Sequence, residues 1–150
     1  MAKYANEWNR TASTSLSVGG AVADATTPRR LALTDLIVGS EATPGDAVYL
    51  WQVQRCTTAG VGTGITPSPL DPADAAALYD TSENYTGDPV LTAGAILLSI
   101  PLNQRATFRW VAAPDAPLVT PATALNGFML RTPTASSLVA VTATAHVTER

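Results

Sequence analysis

The sequence predicts an all-β fold, a single-domain β-sandwich of jelly-roll-like topology, and three observations carry that prediction. Only 14% of the residues are charged while 46% are hydrophobic, too little charge for a disordered tail or an amphipathic helical bundle. Thr, Ala, Val, Gly and Pro dominate; Thr and Val suit pleated surfaces, and Pro and Gly punctuate them. Short stretches of period-two alternation recur between Pro/Gly-rich loops at the spacing of a sandwich. A chain of 150 residues is long enough to bury a core without covalent staples.

The first stretch, "MAKYANEWNR", shows neither strict alternation nor a helical period. Residues 1–14 are therefore expected to form an N-terminal arm, and residues 15–150 the sandwich. The arm carries Tyr4 and Trp8 with Lys3 and Arg10 beside them. Aromatic anchors flanked by cations suit a segment that orders on contact, either with its own domain or with a neighbouring subunit.

In "SLSVGGAV", Leu16, Val18 and Val22 alternate with small residues, and the glycines permit a bend. "RRLALTDLIVG" places Leu31, Leu33 and Ile37 on one side and Ala32, Leu36 and Val38 on the other, apolar enough on both for a central strand. "SEATPGD" is a turn by composition. "AVYLWQVQRC" puts Tyr49, Trp51 and Val53 on one face and Val48, Leu50, Gln52 and Gln54 on the other. "TTAGVGTGITPSPL" is expected as a loop followed by a short strand near Ile65.

"LDPADAAALYD" is the one helix signal: Asp71 as N-cap, Pro72 in the first turn, and a short helix over residues 72–79. "TSENYTGDP" is expected as a loop. "AGAILLSIPLNQ" turns Ile96, Leu98, Ile100 and Leu102 inward, with Pro101 marking an edge or bulge. In "RATFRWVA", Phe108 and Trp110 share one face and Arg105, Arg109 and Val111 the other. Aromatics and arginines then point oppositely, so the strand offers no mixed stacking ledge. The arginines are left for a partner surface or for salt bridges with the acidic loop. "LVTPATALNGFMLRT" gives a short strand, a turn at Asn126-Gly127 and another strand. "LVAVTATAHV" closes the chain, with Val139, Val141, Ala143, Ala145 and Val147 set against Leu138, Thr142, Thr144 and His146.

The net charge is −3 and the only lysine is Lys3. Nucleic-acid binders use a basic stripe to neutralise phosphates; none exists here, and Cys56 to Gln104 holds no Lys or Arg. The single cysteine, Cys56, excludes an internal disulfide and a cysteine-based zinc site, and reads as a buried structural thiol. The single histidine, His146, stands without a "GxSxG" stretch and reads as a solvated surface residue. "GVGTG" lacks the spacing of a nucleotide loop. The acidic run Asp71 to Asp88 lacks the alternate-position ligands of an EF-hand, so no metal and no cofactor is expected. No apolar run reaches the ~20 residues of a membrane helix and the N-terminus has no signal-peptide core. A soluble protein made in a reducing cytoplasm, without enzymatic activity, nucleic acid or membrane, is the expectation.

The runs "TDLIVGSEATPGD" and "NQRATFRWVAAP" in particular, within a stretch from Arg29 to Arg131, resemble small virion proteins of tailed bacteriophages and prophages. The resemblance is strongest to their capsid decoration (cement) proteins. It implies a jelly-roll-like subunit, commonly a homotrimer, on the exterior of the capsid. It would be added to heads assembled in the host cytoplasm and would clamp neighbouring copies of the major capsid protein. It implies no catalytic residue. Set beside it, the chain's cationic and aromatic residues give the expected partner-binding set: Lys3, Tyr4, Trp8, Arg10, Arg105 and Arg109. A carbohydrate- or host-receptor-binding jelly-roll module is the alternative, favoured if Tyr79 or Tyr85 is exposed in the loops.

Overall fold

A computed structural model of the chain describes residues 1–10, 16–133 and 139–150. Within them the backbone forms strands and no helix. In chain order these are β1 (Lys3–Arg10), β2 (Gly19–Ala23), β3 (Leu31–Ser40), β4 (Val48–Cys56), β5 (Val61–Ile65) and β6 (Ser68–Pro69). They continue as β7 (Tyr79–Gly87), β8 (Leu91–Asn103), β9 (Phe108–Val111), β10 (Leu118–Val119), β11 (Gly127–Arg131) and β12 (Val141–Glu149). Antiparallel pairing builds two sheets. Sheet A runs β10-β3-β12-β1-β6, with β9 also on β3; sheet B runs β5-β7-β2-β11-β4-β8. The all-β sandwich is the architecture the composition predicts.

Alternation fills the space between the sheets. Val141, Ala143, Ala145 and Val147 of β12 are buried, as are Trp51 and Val53 of β4 and Phe128 and Leu130 of β11. Met129, between the last two, points the other way. On the outer face of sheet B it joins Val22, Cys56 and Tyr85 in a second, smaller core under Ala59 and Leu91. Asn84, at φ 46, supplies the irregularity that swings Tyr85 onto that face; asparagine tolerates the left-handed conformation better than most residues.

The N-terminal arm is corrected most sharply. Residues 3–10 are an interior strand of sheet A, paired with β12 along its whole length and with β6 at Tyr4 and Ala5. Its inward side chains are Tyr4, Asn6, Trp8 and Arg10, all buried in the chain's own sandwich. Trp8 is 1% exposed; it donates from Nε1 to Thr81 Oγ1 at 2.9 Å and stands edge-on to Phe128. Burying Asn6 requires partners, and it has them: Nδ2 donates to the Ala145 carbonyl at 3.1 Å, and Tyr79 Oη donates to its Oδ1 at 2.9 Å. The expected boundary between residues 14 and 15 lies outside the described residues, as do Ser15 and Leu138.

Other expectations change locally. The helix over 72–79 is a turn: the Asp71 carboxylate accepts from Ala73 N and its carbonyl from Asp74 N, but the next residues run on to strand β7 at Tyr79. "TSENYTG" is therefore a strand, not a loop, and "VGTGI" is the edge strand β5. Asn126-Gly127 does not close a hairpin, because β10 belongs to sheet A and β11 to sheet B. Strand β8 is the edge of sheet B, as Pro101 foretold, but Ile96 is exposed because bulges in the β4–β8 ladder shift its register.

Candidate functional site

The most structured constellation on the surface lies on the outer face of sheet A and begins with a bulge. β12 pairs His146 with Asp35 and the next residue, Val147, with Leu33, so Thr34 is an extra residue in β3. Strict alternation after Leu31 and Leu33 would drive Asp35 into the core. One inserted residue reverses the phase: Leu36 and Val38 turn inward, and Asp35 emerges on the outer face. Leu31 and Leu33 of one apolar set and Leu36 and Val38 of the other thus meet on one side of the strand, while Ile37 turns outward with Asp35. The bulge is pinned by Thr34, whose hydroxyl donates to the His146 carbonyl at 3.1 Å and whose carbonyl accepts from Ala112 N at 2.9 Å.

Asp35 is only 9% exposed at its side chain, so its charge needs partners. Strand β9 supplies one. Arg109 Nη2 donates to Oδ2 at 2.6 Å, and Nε lies 3.1 and 3.2 Å from the two carboxylate oxygens. His146 Nδ1 lies 3.4 Å from Oδ2 on the opposite side. The Arg109 hydrogen bonds hold the Asp35 carboxyl below the usual carboxylate range against the opposing effect of burial, and the charges of Arg109 and His146 add to them.

Beside this trio runs a groove of about 360 Å³. Leu70, Val111, Pro114 and Pro117 wall it, and Lys3 and Arg150 stand at its rim. Val111 is 56% exposed and Leu70 49%. The groove is open to solvent, with fixed opposite charges beside exposed apolar walls. Among the described residues, no group of three or more His, Cys, Asp and Glu side chains is placed to hold a metal ion.

The expected partner-binding residues separate accordingly. Lys3 lines this groove, and Arg109 holds the Asp35 that also lines it. Arg105 stands apart, its Nε 3.4 Å from the Pro44 carbonyl and its Nη1 3.9 Å from Asp46. Tyr4, Trp8 and Arg10 are buried inside the protein rather than on its surface; Arg10 Nη1 donates to the Tyr85 carbonyl at 2.8 Å and ties the end of β1 to β7. Arg109 pairs with a carboxylate of β3, not with the acidic loop. His146 is not freely solvated but held beside Asp35. Asp35 belongs to no motif in the sequence; the one signal it carries there is an acid in mid-strand between leucines. Tyr79 and Tyr85, the aromatics that would have favoured a glycan-binding module, are 4% and 2% exposed.

Scans against known protein families, characterised proteins and solved structures found no match to this chain.

Proposed function

We propose that this chain is a structural protein of a tailed-phage particle: a non-enzymatic, jelly-roll-like decoration protein that binds the major capsid protein on the exterior of the head as a homotrimer. One observation supports the reading above the others. The two stretches that carry the resemblance, Thr34–Asp46 and Asn103–Pro114, come together as one surface. β9 pairs with β3 from Asp35 to Val38, Arg109 locks onto Asp35, and Arg105 reaches the Pro44–Asp46 turn. That surface ends in the exposed Val111 and the groove beside it. A clamp across subunit boundaries needs such a rigid face with apolar area to bury, and trimerisation multiplies weak contacts through effective concentration.

The experiment is co-sedimentation of the purified protein with phage heads lacking decoration, followed by imaging of the decorated particles. Saturable binding at fixed sites, weakened by Val111→Asp in a protein that keeps its circular dichroism, is the expected result. No binding to heads, together with a monomer in light scattering, overturns the reading.

A further inference from the structure

A second groove, at one end of the sandwich, has a different character. It is about 480 Å³ in volume and lies between the sheets, with Val119, Thr120 and Arg30 from sheet A's side and Arg55, Thr92 and Asn126 from sheet B's. The only charged residues lining it are Arg30 and Arg55, with no Asp or Glu. In a chain with 12 acidic and 9 basic residues, a purely cationic cleft is against the average.

Arg55 gives the cleft its tension. Its Nη2 donates to the Val119 carbonyl at 2.7 Å, bridging the sheets, but it makes no salt bridge among the described residues. Its Nε is buried and without a hydrogen-bond partner among them. A guanidinium held partly out of water without a counter-charge costs free energy, and an anion seated in the cleft offsets that cost. Arg30 is exposed, while its backbone is fixed by reciprocal bonds with Arg150, N to O at 3.3 and 2.9 Å. The mouth therefore presents one charge on a fixed base and one on a rigid bridge. The rest of the lining suits hydroxyl groups: Thr57, Thr92 and Thr120 carry hydroxyls, and Asn126, whose Nδ2 donates to the Ala124 carbonyl, keeps Oδ1 as an acceptor.

We infer that this cleft binds a small hydroxylated ligand through a phosphate or sulfate ester, gripped by Arg30 and Arg55. Charge-assisted bonds from guanidinium to a tetrahedral oxyanion are strong and geometrically selective, and the cleft is larger than the oxyanion alone, leaving room for a sugar-sized body. Recognition is by charge and hydroxyls, without the aromatic stacking of a neutral glycan site. The site is separate from the sheet A groove and independent of the capsid reading.

Calorimetric titration of the full chain with glucose 6-phosphate, glucose 6-sulfate and glucose tests it. One-to-one binding of either ester, weakened by added salt, with no binding of glucose, is expected; the stronger of the two esters identifies which oxyanion the cleft prefers. Arg30→Gln should weaken binding about tenfold, as the loss of a charge-assisted bond implies. Arg30→Gln with Arg55→Gln should abolish it. Should Arg55→Gln fail to fold, the exposed Arg30 carries the test alone. Binding of glucose as tight as that of the esters, no binding of either ester, or an Arg30→Gln protein that binds like the parent overturns the inference. Head decoration by Arg30→Gln stays at the parent level whichever result is obtained, so the two proposals fail separately.

Discussion

Arg109 and Asp35 meet across the β9–β3 ladder at 2.6 Å, one side chain 60% exposed and the other 9%. The residues are not directly opposite: Arg109 pairs with Ile37, and Asp35 with Val111. The contact is a diagonal one, within reach of a long side chain on the same face. It is possible only because the Thr34 bulge turns Asp35 outward.

That contact sets an acid sensitivity. The folded-state carboxyl of Asp35 is held below its unfolded value, ordinarily about 3.9. Its contribution to stability is present above the unfolded value and lost as pH falls through the folded one. Replacing Arg109 with Gln removes the main cause of the depression while burial still raises the carboxyl, so the acid-unfolding midpoint should move to higher pH. Circular dichroism against pH checks this; an unchanged midpoint means the pair adds nothing in solution.

Trp8 tests the reassignment of the N-terminal segment. As a fully buried side chain, its replacement by Ala should cost about 3–5 kcal/mol, measured by urea unfolding. Deleting residues 1–10 should abolish folding altogether, because it strips β12 of a full-length neighbour. A deletion protein with the parent's melting temperature would restore the detachable arm.

Glycine supplies a sharper local contrast. A Cβ on Gly127 would lie 2.0 Å from the Ala21 carbonyl oxygen and 2.7 Å from the Val22 Cα, both backbone, whereas one on Gly64 meets nothing within 4 Å. Gly127→Ala should therefore destabilise by about 2 kcal/mol or more through overpacking, and Gly64→Ala should be close to neutral. Comparable thermal unfolding of the two variants would contradict the close β2–β11 approach.

Cys56 should be chemically silent. It is 1% exposed, and burial pushes its thiol up to about 12. Since the thiolate is the reactive form, iodoacetamide at about pH 8 should leave the folded protein unlabelled and label it fully in denaturant. Rapid labelling under native conditions would place the thiol at the surface.

The all-β class and much of the core are legible in the sequence. β4, β11 and β12 could be read directly, because Trp51 and Val53, Phe128 and Leu130, and Val141 to Val147 are apolar at alternate positions, and alternation is all that a regular strand requires. It determined too that Phe108 and Trp110 oppose Arg109. What it could not show was where the alternation is broken or disguised. β1 was disguised because two of its four inward residues, Asn6 and Arg10, are polar, and they are tolerable inside through bonds to distant partners: Asn6 to Tyr79 and Ala145, 73 and 139 positions away, and Arg10 to Tyr85, 75 positions away. β7 was disguised by turn-forming residues that tertiary pairing with β2 and β5 overrode. The Asp35 site was decided by one extra residue at Thr34, which reverses every side chain after it. Hydrophobic pattern is a local property of the chain, but the partners that make a buried polar group affordable, and the ladder that accepts a bulge, exist only once distant strands have met.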